Sequence, residues 1–121
     1  MSTTKKIGDR GEAIVAQYLQ KNGYHLLSSQ WRCRYGELDL VAQDPQGVLC
    51  FVEVKLRSDV QHGLPREFVG KRKQECLRRA AACYLSRYEL DEMPVRFDVA
   101  EVYTDSEQRA FRIEYLKDAF I

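Results

Sequence analysis

The 121-residue chain lacks the features that would commit it to a membrane, a disulfide scaffold or a nucleotide-hydrolysing loop. No apolar run approaches the ~18 residues that a spanning helix needs. The first ten residues are polar, without the apolar core of a secretory leader. The four cysteines, Cys33, Cys50, Cys76 and Cys83, form no C-x-x-C pair, and no histidine stands at zinc-ligand spacing from them. Reduced thiols and a cytoplasmic protein are therefore expected, with Cys76 and Cys83 serving as small apolar side chains on one helix. His25 and His62 are isolated in sequence and suit neither a triad nor a metal. Neither a P-loop, nor G-x-G-x-x-G, nor G-x-S-x-G occurs, so Walker-type hydrolysis, dinucleotide redox chemistry and serine hydrolysis have no support.

What is present is ordinary globular composition, 45% apolar and 31% charged, with no repeat and no linker. One domain over residues 1–121 follows. The formal net charge of +1 hides an asymmetry. Residues 1–87 carry fifteen Lys/Arg against nine Asp/Glu, whereas residues 88–121 carry four against nine. A basic lobe of this kind can present an anion-binding face whatever the overall charge.

Periodicity predicts the element order α-β-β-β-α-β-β, a mixed β-sheet flanked by helices. A first helix is expected over 9–22, with Asp9 as N-cap and Glu12 at capping-box spacing. Ala13, Ile14, Tyr18 and Leu19 make its core stripe, and Asn22-Gly23 its stop. Extended chain follows over 24–30 and on to Tyr35 as strand or loop. Strands are expected over 37–42 and 48–56, and a loop over 57–67. A basic helix over 69–87 is cored by Val69, Leu77, Ala80, Ala81, Tyr84 and Leu85. Strands over 95–103 and 110–116 complete the chain.

The turn Asp44-Pro45-Gln46-Gly47 determines what the second and third strands bring together. Proline suits the first central position of a type I turn, and Gly47 a following left-handed residue, which describes a three-residue loop with a glycine bulge. Residue 44 then pairs with 48, Asp39 falls opposite Glu53, and Glu37 opposite Lys55. Alternation places Glu37, Asp39 and Val41 on one face, with Leu38 and Leu40 opposite. A two-residue loop would instead split Asp39 from Glu53 across the sheet.

Opposed side chains in such a pair have Cβ atoms about 5 Å apart. Two carboxylates at that separation need a proton, a cation or wide exposure to solvent. A hard divalent ion, Mg²⁺ or Mn²⁺, prefers oxygen ligands and keeps several waters. Lys55, on the same face as Glu53, is suited to hold or deprotonate such a water and to offset charge on a phosphodiester under attack. The simpler alternative is a solvated sheet face on which Glu37 and Lys55 form a cross-strand ion pair.

Gly36-Glu37-Leu38-Asp39-Leu40, followed after twelve residues by Glu53-Val54-Lys55, resembles the active-site signature of PD-(D/E)XK nucleases. Further landmarks are Gly11-Glu12, Gly23-Tyr24, Lys73 with Leu77, Ala81 and Tyr84-Leu85, and Arg96-Phe97-Asp98-Val99. Together they resemble the YraN-type bacterial family of that superfamily over residues 8–103. The resemblance implies a restriction-endonuclease-like α/β core, similar to archaeal Holliday-junction resolvases. It implies Asp39, Glu53 and the Val54 carbonyl as metal ligands, Lys55 as catalytic lysine and Glu12 as an auxiliary acid. Leu38 stands where the superfamily's motif has proline.

The second helix opens Lys71-Arg72-Lys73 and adds Arg78 and Arg79. Lys71, Lys73 and Arg78, with Arg34 and Arg57 on flanking segments, are the candidate phosphate contacts; Arg32 and Arg66 add charge nearby. Trp31 and Tyr35 suit core packing better than base stacking. The expected partner is DNA, branched or single-stranded, with RNA open and a homodimer suited to paired cuts. A binding module without catalysis and a protein-interaction domain are the alternative readings.

Overall fold

The computed structural model describes residues 3–58, 69–107 and 109–120. Its elements run α1 (Thr3–Lys21), β1 (His25–Cys33), β2 (Gly36–Gln43), β3 (Leu49–Ser58), α2 (Lys71–Arg87), β4 (Val95–Thr104) and β5 (Ala110–Phe120). The expected order holds, and the five strands form one mixed sheet ordered β1-β2-β3-β4-β5. Only β3 and β4 run parallel, as a strand–helix–strand crossover requires. Among the described residues, no helix is long and apolar enough to cross a membrane.

Each sheet face is covered by one helix. Leu77, Ala80, Ala81 and Tyr84 of α2 pack on Val41, Phe51, Phe97 and Val99. Val15 and Leu19 of α1 pack on Leu40, Ala42, Cys50, Val52, Ala100 and Val102. The alternation of β3 expected from its sequence is thus realised, with Phe51 on one side and Cys50 and Val52 on the other.

Three boundaries differ from expectation. The first helix reaches back to Thr3, which puts Asp9 inside it and removes the capping box. Its buried stripe is Gly11, Val15 and Leu19, four residues apart, while Ala13 is exposed. Strand β3 continues to Ser58, so the loop expected over 57–67 begins later, and its remainder, with Arg66, lies outside the described residues. Strand β5 extends to Phe120, whose ring stacks on Phe97 at 5.0 Å. Cys76 and Cys83 are half-buried beside the α2 stripe rather than in it.

Gly11 permits the close seating of α1. A methyl group there would lie 2.9 Å from Leu56 Cδ2. Gly11→Val is expected to lower stability by about 1–3 kcal/mol through overpacking, read as a lower melting temperature. A melting temperature equal to the parent's would contradict the seating.

Candidate active site at the fork between β2 and β3

The hairpin loop has the expected form. Asp44 N–H donates to the Val48 carbonyl at 2.9 Å, Gly47 N–H donates to the Asp44 carbonyl at 3.0 Å, and Gly47 takes φ +89°. The resulting register pairs Gln43 with Leu49, Ala42 with Cys50, Val41 with Phe51 and Leu40 with Val52. Beyond Leu40 and Val52 the ladder stops. Asp39 is not held opposite Glu53 by main-chain pairing. Its carboxylate enters the fork and accepts the Val54 N–H at 2.9 Å, standing in for a strand carbonyl.

The expected alternation in β2 breaks at this point. Leu38 joins the α2-side cluster with Val41, whereas Leu40 faces α1. The irregularity runs through the neighbouring strand too, because Gln30, between the pairs Ser29–Leu40 and Trp31–Leu38, has φ +50°. A side chain at position 39 is therefore free of the strict two-residue period and can serve both helices.

Four carboxylates meet around this fork. Glu12 of α1, Glu37 and Asp39 each bring an oxygen to within 4.8 Å of the others. Glu53 shares a small cavity with Asp39, Phe51 and Leu77. Lys73 of α2 reaches to 3.8 Å from Glu53 Oε1. Glu53 is only 9% exposed. Its Oε2, like Glu12 Oε1, is buried without a hydrogen-bond partner among the described residues. Gln30 donates to Asp9 and also hydrogen-bonds Glu12, a bridging role that no spacing in the sequence signals. Glu37 was legible as a neighbour of Asp39, but its place in the acidic cluster was not.

The electrostatic result is a site short of positive charge. Burial, then the Asp39 charge, pushes Glu12 up to about 7 against the opposing Gln30 bond. Burial and then Asp39 likewise push Glu53 up to about 7, against Lys73 and Lys55. Burial raises Asp39 as well, opposed by the Val54 N–H and Lys73. Both glutamates bind protons more tightly folded than unfolded, so the metal-free protein gains stability from them below their ordinary value of 4.5. That gain is lost as pH rises through about 7. Thermal melts across this window should show the decline, and Glu53→Gln should flatten it; an equally steep decline in the variant would refute the assignment.

The remaining sequence candidates scatter. Lys55 is half-buried, its charge acts on Asp39 and Glu53, and it has no ion pair among the described residues. Glu37 pairs with Arg32 at 3.3 Å rather than with Lys55. Lys71 and Arg72 are exposed at the start of α2. Arg78 bonds Glu75, as does Arg79. Arg34 is exposed and lies over the Tyr35 ring. Arg57 is buried, and its guanidinium bonds Glu101 at 3.1 Å. Trp31 packs edge-on against Tyr84 at 5.2 Å, as core packing requires.

Buried carboxylate oxygens without donors, raised proton affinities and an all-oxygen donor set fit a hard divalent cation. The family described as uncharacterised protein family UPF0102 matches over residues 11–102. A UPF0102 protein from Alkaliphilus metalliredigens is 40% identical over 117 residues, covering 97% of this chain and 99% of that protein. One from Acetivibrio thermocellus is 41% identical, with 93% and 89% covered. One from Desulforamulus reducens is 40% identical, with 95% of each covered. A solved structure of Pyrococcus furiosus SfsA in complex with Ca²⁺ aligns at 17% identity and a TM-score of 0.41, over 94% of this chain and 63% of that one.

Proposed function

The chain belongs to the UPF0102 family, the YraN-type family of the restriction-endonuclease-like superfamily, and from that premise we propose that it is a cytoplasmic, divalent-metal-dependent nuclease that hydrolyses phosphodiester bonds in DNA. The observation that carries this reading is the buried, donor-less oxygen of Glu53 beside Asp39, within a cluster of four acids. Structural proteins seldom leave a buried carboxylate in that state, because its desolvation goes uncompensated.

Asp39, Glu53 and the Val54 carbonyl are the groups that would hold Mg²⁺ or Mn²⁺. Such an ion, when bound, supplies Lewis-acid polarisation of a phosphoryl oxygen and a water of lowered pKa. The chain's own residues do the rest. The Val54 N–H orients the Asp39 carboxylate, so the acid is preorganised. Lys55 stands beside both acids with no ion pair among the described residues; as an ammonium it can offset charge on the phosphorus, and only as the neutral amine can it take a proton from water. Glu12, with a proton affinity near neutrality, can hold or release a proton at Oε1. Lys73 offsets Glu53 and is available to a phosphate once another cation takes that place. Lys71 and Arg72 extend the positive charge along the exposed start of α2, where a nucleic-acid backbone would give salt-dependent binding.

The test is a cleavage screen over duplex, single-stranded and four-way DNA with Mn²⁺, with the Asp39→Asn protein as the contamination control. Metal-dependent products that the variant does not form support the reading. Salt-sensitive binding without cleavage would support a binding module instead. Neither binding nor metal uptake would point to a protein-interaction domain. In the same preparations Mn²⁺ at a hundredfold excess over its Kd should add about 2.7 kcal/mol of stability, read as a rise in melting temperature.

A further inference from the structure

A second cleft, of about 210 Å³, opens at the other end of the sheet, where the last turn of α1 meets the β2–β3 loop and β5. Tyr18, Tyr24 and Tyr115 wall it, and exposed Asn22, Gln46 and Lys117 border it. The Tyr18 and Tyr115 rings lie 5.9 Å apart at 35°, and Tyr24 meets Tyr115 edge-on at 6.2 Å.

Two of the three tyrosines have their hydroxyls engaged elsewhere. The Tyr24 hydroxyl accepts from Arg96 at 2.7 Å, and the Tyr115 hydroxyl donates to buried Asp98. Ring surface is therefore what these two offer. The Tyr18 hydroxyl, the Gln46 amide and the Lys117 ammonium have no polar partner among the described residues. The Asn22 amide nitrogen donates to the Tyr18 carbonyl at 2.7 Å, which leaves its oxygen as an acceptor. Among the described residues, no acidic side chain lines the cleft. The helix C-terminus nearby would disfavour an anion. Three of its last four carbonyls, however, are already taken: Tyr18 and Leu19 accept from Asn22 N–H, Gln20 from Gly23 N–H and Leu19 again from Tyr24 N–H.

Aromatic faces, neutral amide edges and one ammonium complement a flat heterocycle with edge donors and acceptors and a single attached anion. The volume suits one ring system rather than a base pair. We propose that this cleft is a subsite for one nucleobase and its phosphate, with the base against the tyrosine rings and the phosphate on Lys117. Resting on the nuclease reading, the subsite holds a nucleotide of a single strand whose scissile bond lies at the carboxylates. Glu53 lies four steps along β3 from Leu49, at the cleft's end, a span of roughly 13 Å. That span is about four nucleotides at duplex rise.

The test is fluorescence anisotropy of a labelled single-stranded thymidylate hexamer without divalent metal, using the parent protein, Tyr18→Ala, Lys117→Glu and Asp39→Asn, with folding checked by thermal melts. Tyr18→Ala and Lys117→Glu should each weaken binding about fivefold or more, and Lys117→Glu should reduce the salt slope by about one. Asp39→Asn should keep the parent's sensitivity to both cleft substitutions. Displacement of the hexamer by thymidine monophosphate assigns the site to a free nucleotide; cleft-dependent hexamer binding that the monophosphate leaves untouched assigns it to a strand. No hexamer binding by the parent, or equal affinity in both folded cleft variants, overturns the subsite whatever the cleavage screen gives. Cleft-dependent binding with no metal-dependent cleavage overturns the nuclease reading and leaves the subsite standing.

Discussion

Asp39→Asn should lower Mn²⁺-dependent DNA cleavage about a thousandfold, the rate equivalent of about 4 kcal/mol of lost charge stabilisation. The substitution is nearly isosteric. An asparagine oxygen can still accept the Val54 N–H that Asp39 accepts at 2.9 Å, so the fork keeps its shape and the melting temperature should not fall. The charge is what disappears. Asp39 is the largest Coulombic influence on both Glu12 and Glu53, so both glutamates should titrate lower in the variant. Carboxyl chemical shifts followed by NMR across the pH range read this independently of activity. Retained cleavage in the variant would sink the catalytic assignment. Unmoved titrations would show instead that the three acids are not neighbours.

Arg96→Met should cost about 3–5 kcal/mol of folding stability, the loss typical when one partner of a buried charge network is removed. The Arg96 guanidinium bonds both oxygens of Asp98 at 3.0 and 3.1 Å, Asp44 at 2.7 Å and the Tyr24 hydroxyl at 2.7 Å. Asp98 is fully buried and Asp44 nearly so. Burial alone would raise the Asp44 carboxyl, but the Val48 N–H, Arg96 and the Gln46 N–H hold it below its ordinary value. Its contribution is present above the unfolded carboxylate range and lost as pH falls through the folded value, so the gap between parent and variant should narrow in acid. Arg96→Lys should recover little, because an ammonium cannot bond three groups in a fixed fork. Urea denaturation measures all three proteins. A loss below about 1 kcal/mol would mean the network adds nothing beyond surface pairing.

This network also explains how a remote arginine serves the site. It ties the β2–β3 loop to the start of β4 and to Tyr24 after α1. The parallel register that follows sets Glu53 beside Val99 and Lys55 beside Glu101. Arg96-Phe97-Asp98-Val99 is among the residues by which the sequence resembles its family, and its role here is structural.

Much of the fold can be read from local pattern. The element order follows from hydrophobic periods, since a helix and a strand repeat their apolar faces differently. The register of β2 on β3 follows from Pro45 and Gly47, because a turn's backbone requirements act over four residues. The α2 stripe of Leu77, Ala80, Ala81 and Tyr84 is equally local. Local pattern was misleading where it assumed regularity or a boundary. Glu12 reads as half of a capping box only if the helix begins at Asp9, and α1 begins at Thr3. Asp39 reads as one more alternating residue only if the ladder continues past Leu40, and it does not.

By itself, then, the amino-acid order determined which elements form, how the hairpin is aligned and that Asp39 and Glu53 come near one another. Tertiary structure decided how those acids are used. Asp39 turns onto the Val54 N–H, Glu12 arrives from a helix seated close by Gly11, and Lys73 reaches Glu53 from the opposite face of the sheet. These contacts join residues up to 45 positions apart in chain order, as Gly11 is from Leu56, beyond the reach of any turn or helical period. They depend on packing distances between whole elements, which a pattern of neighbours along the chain does not encode.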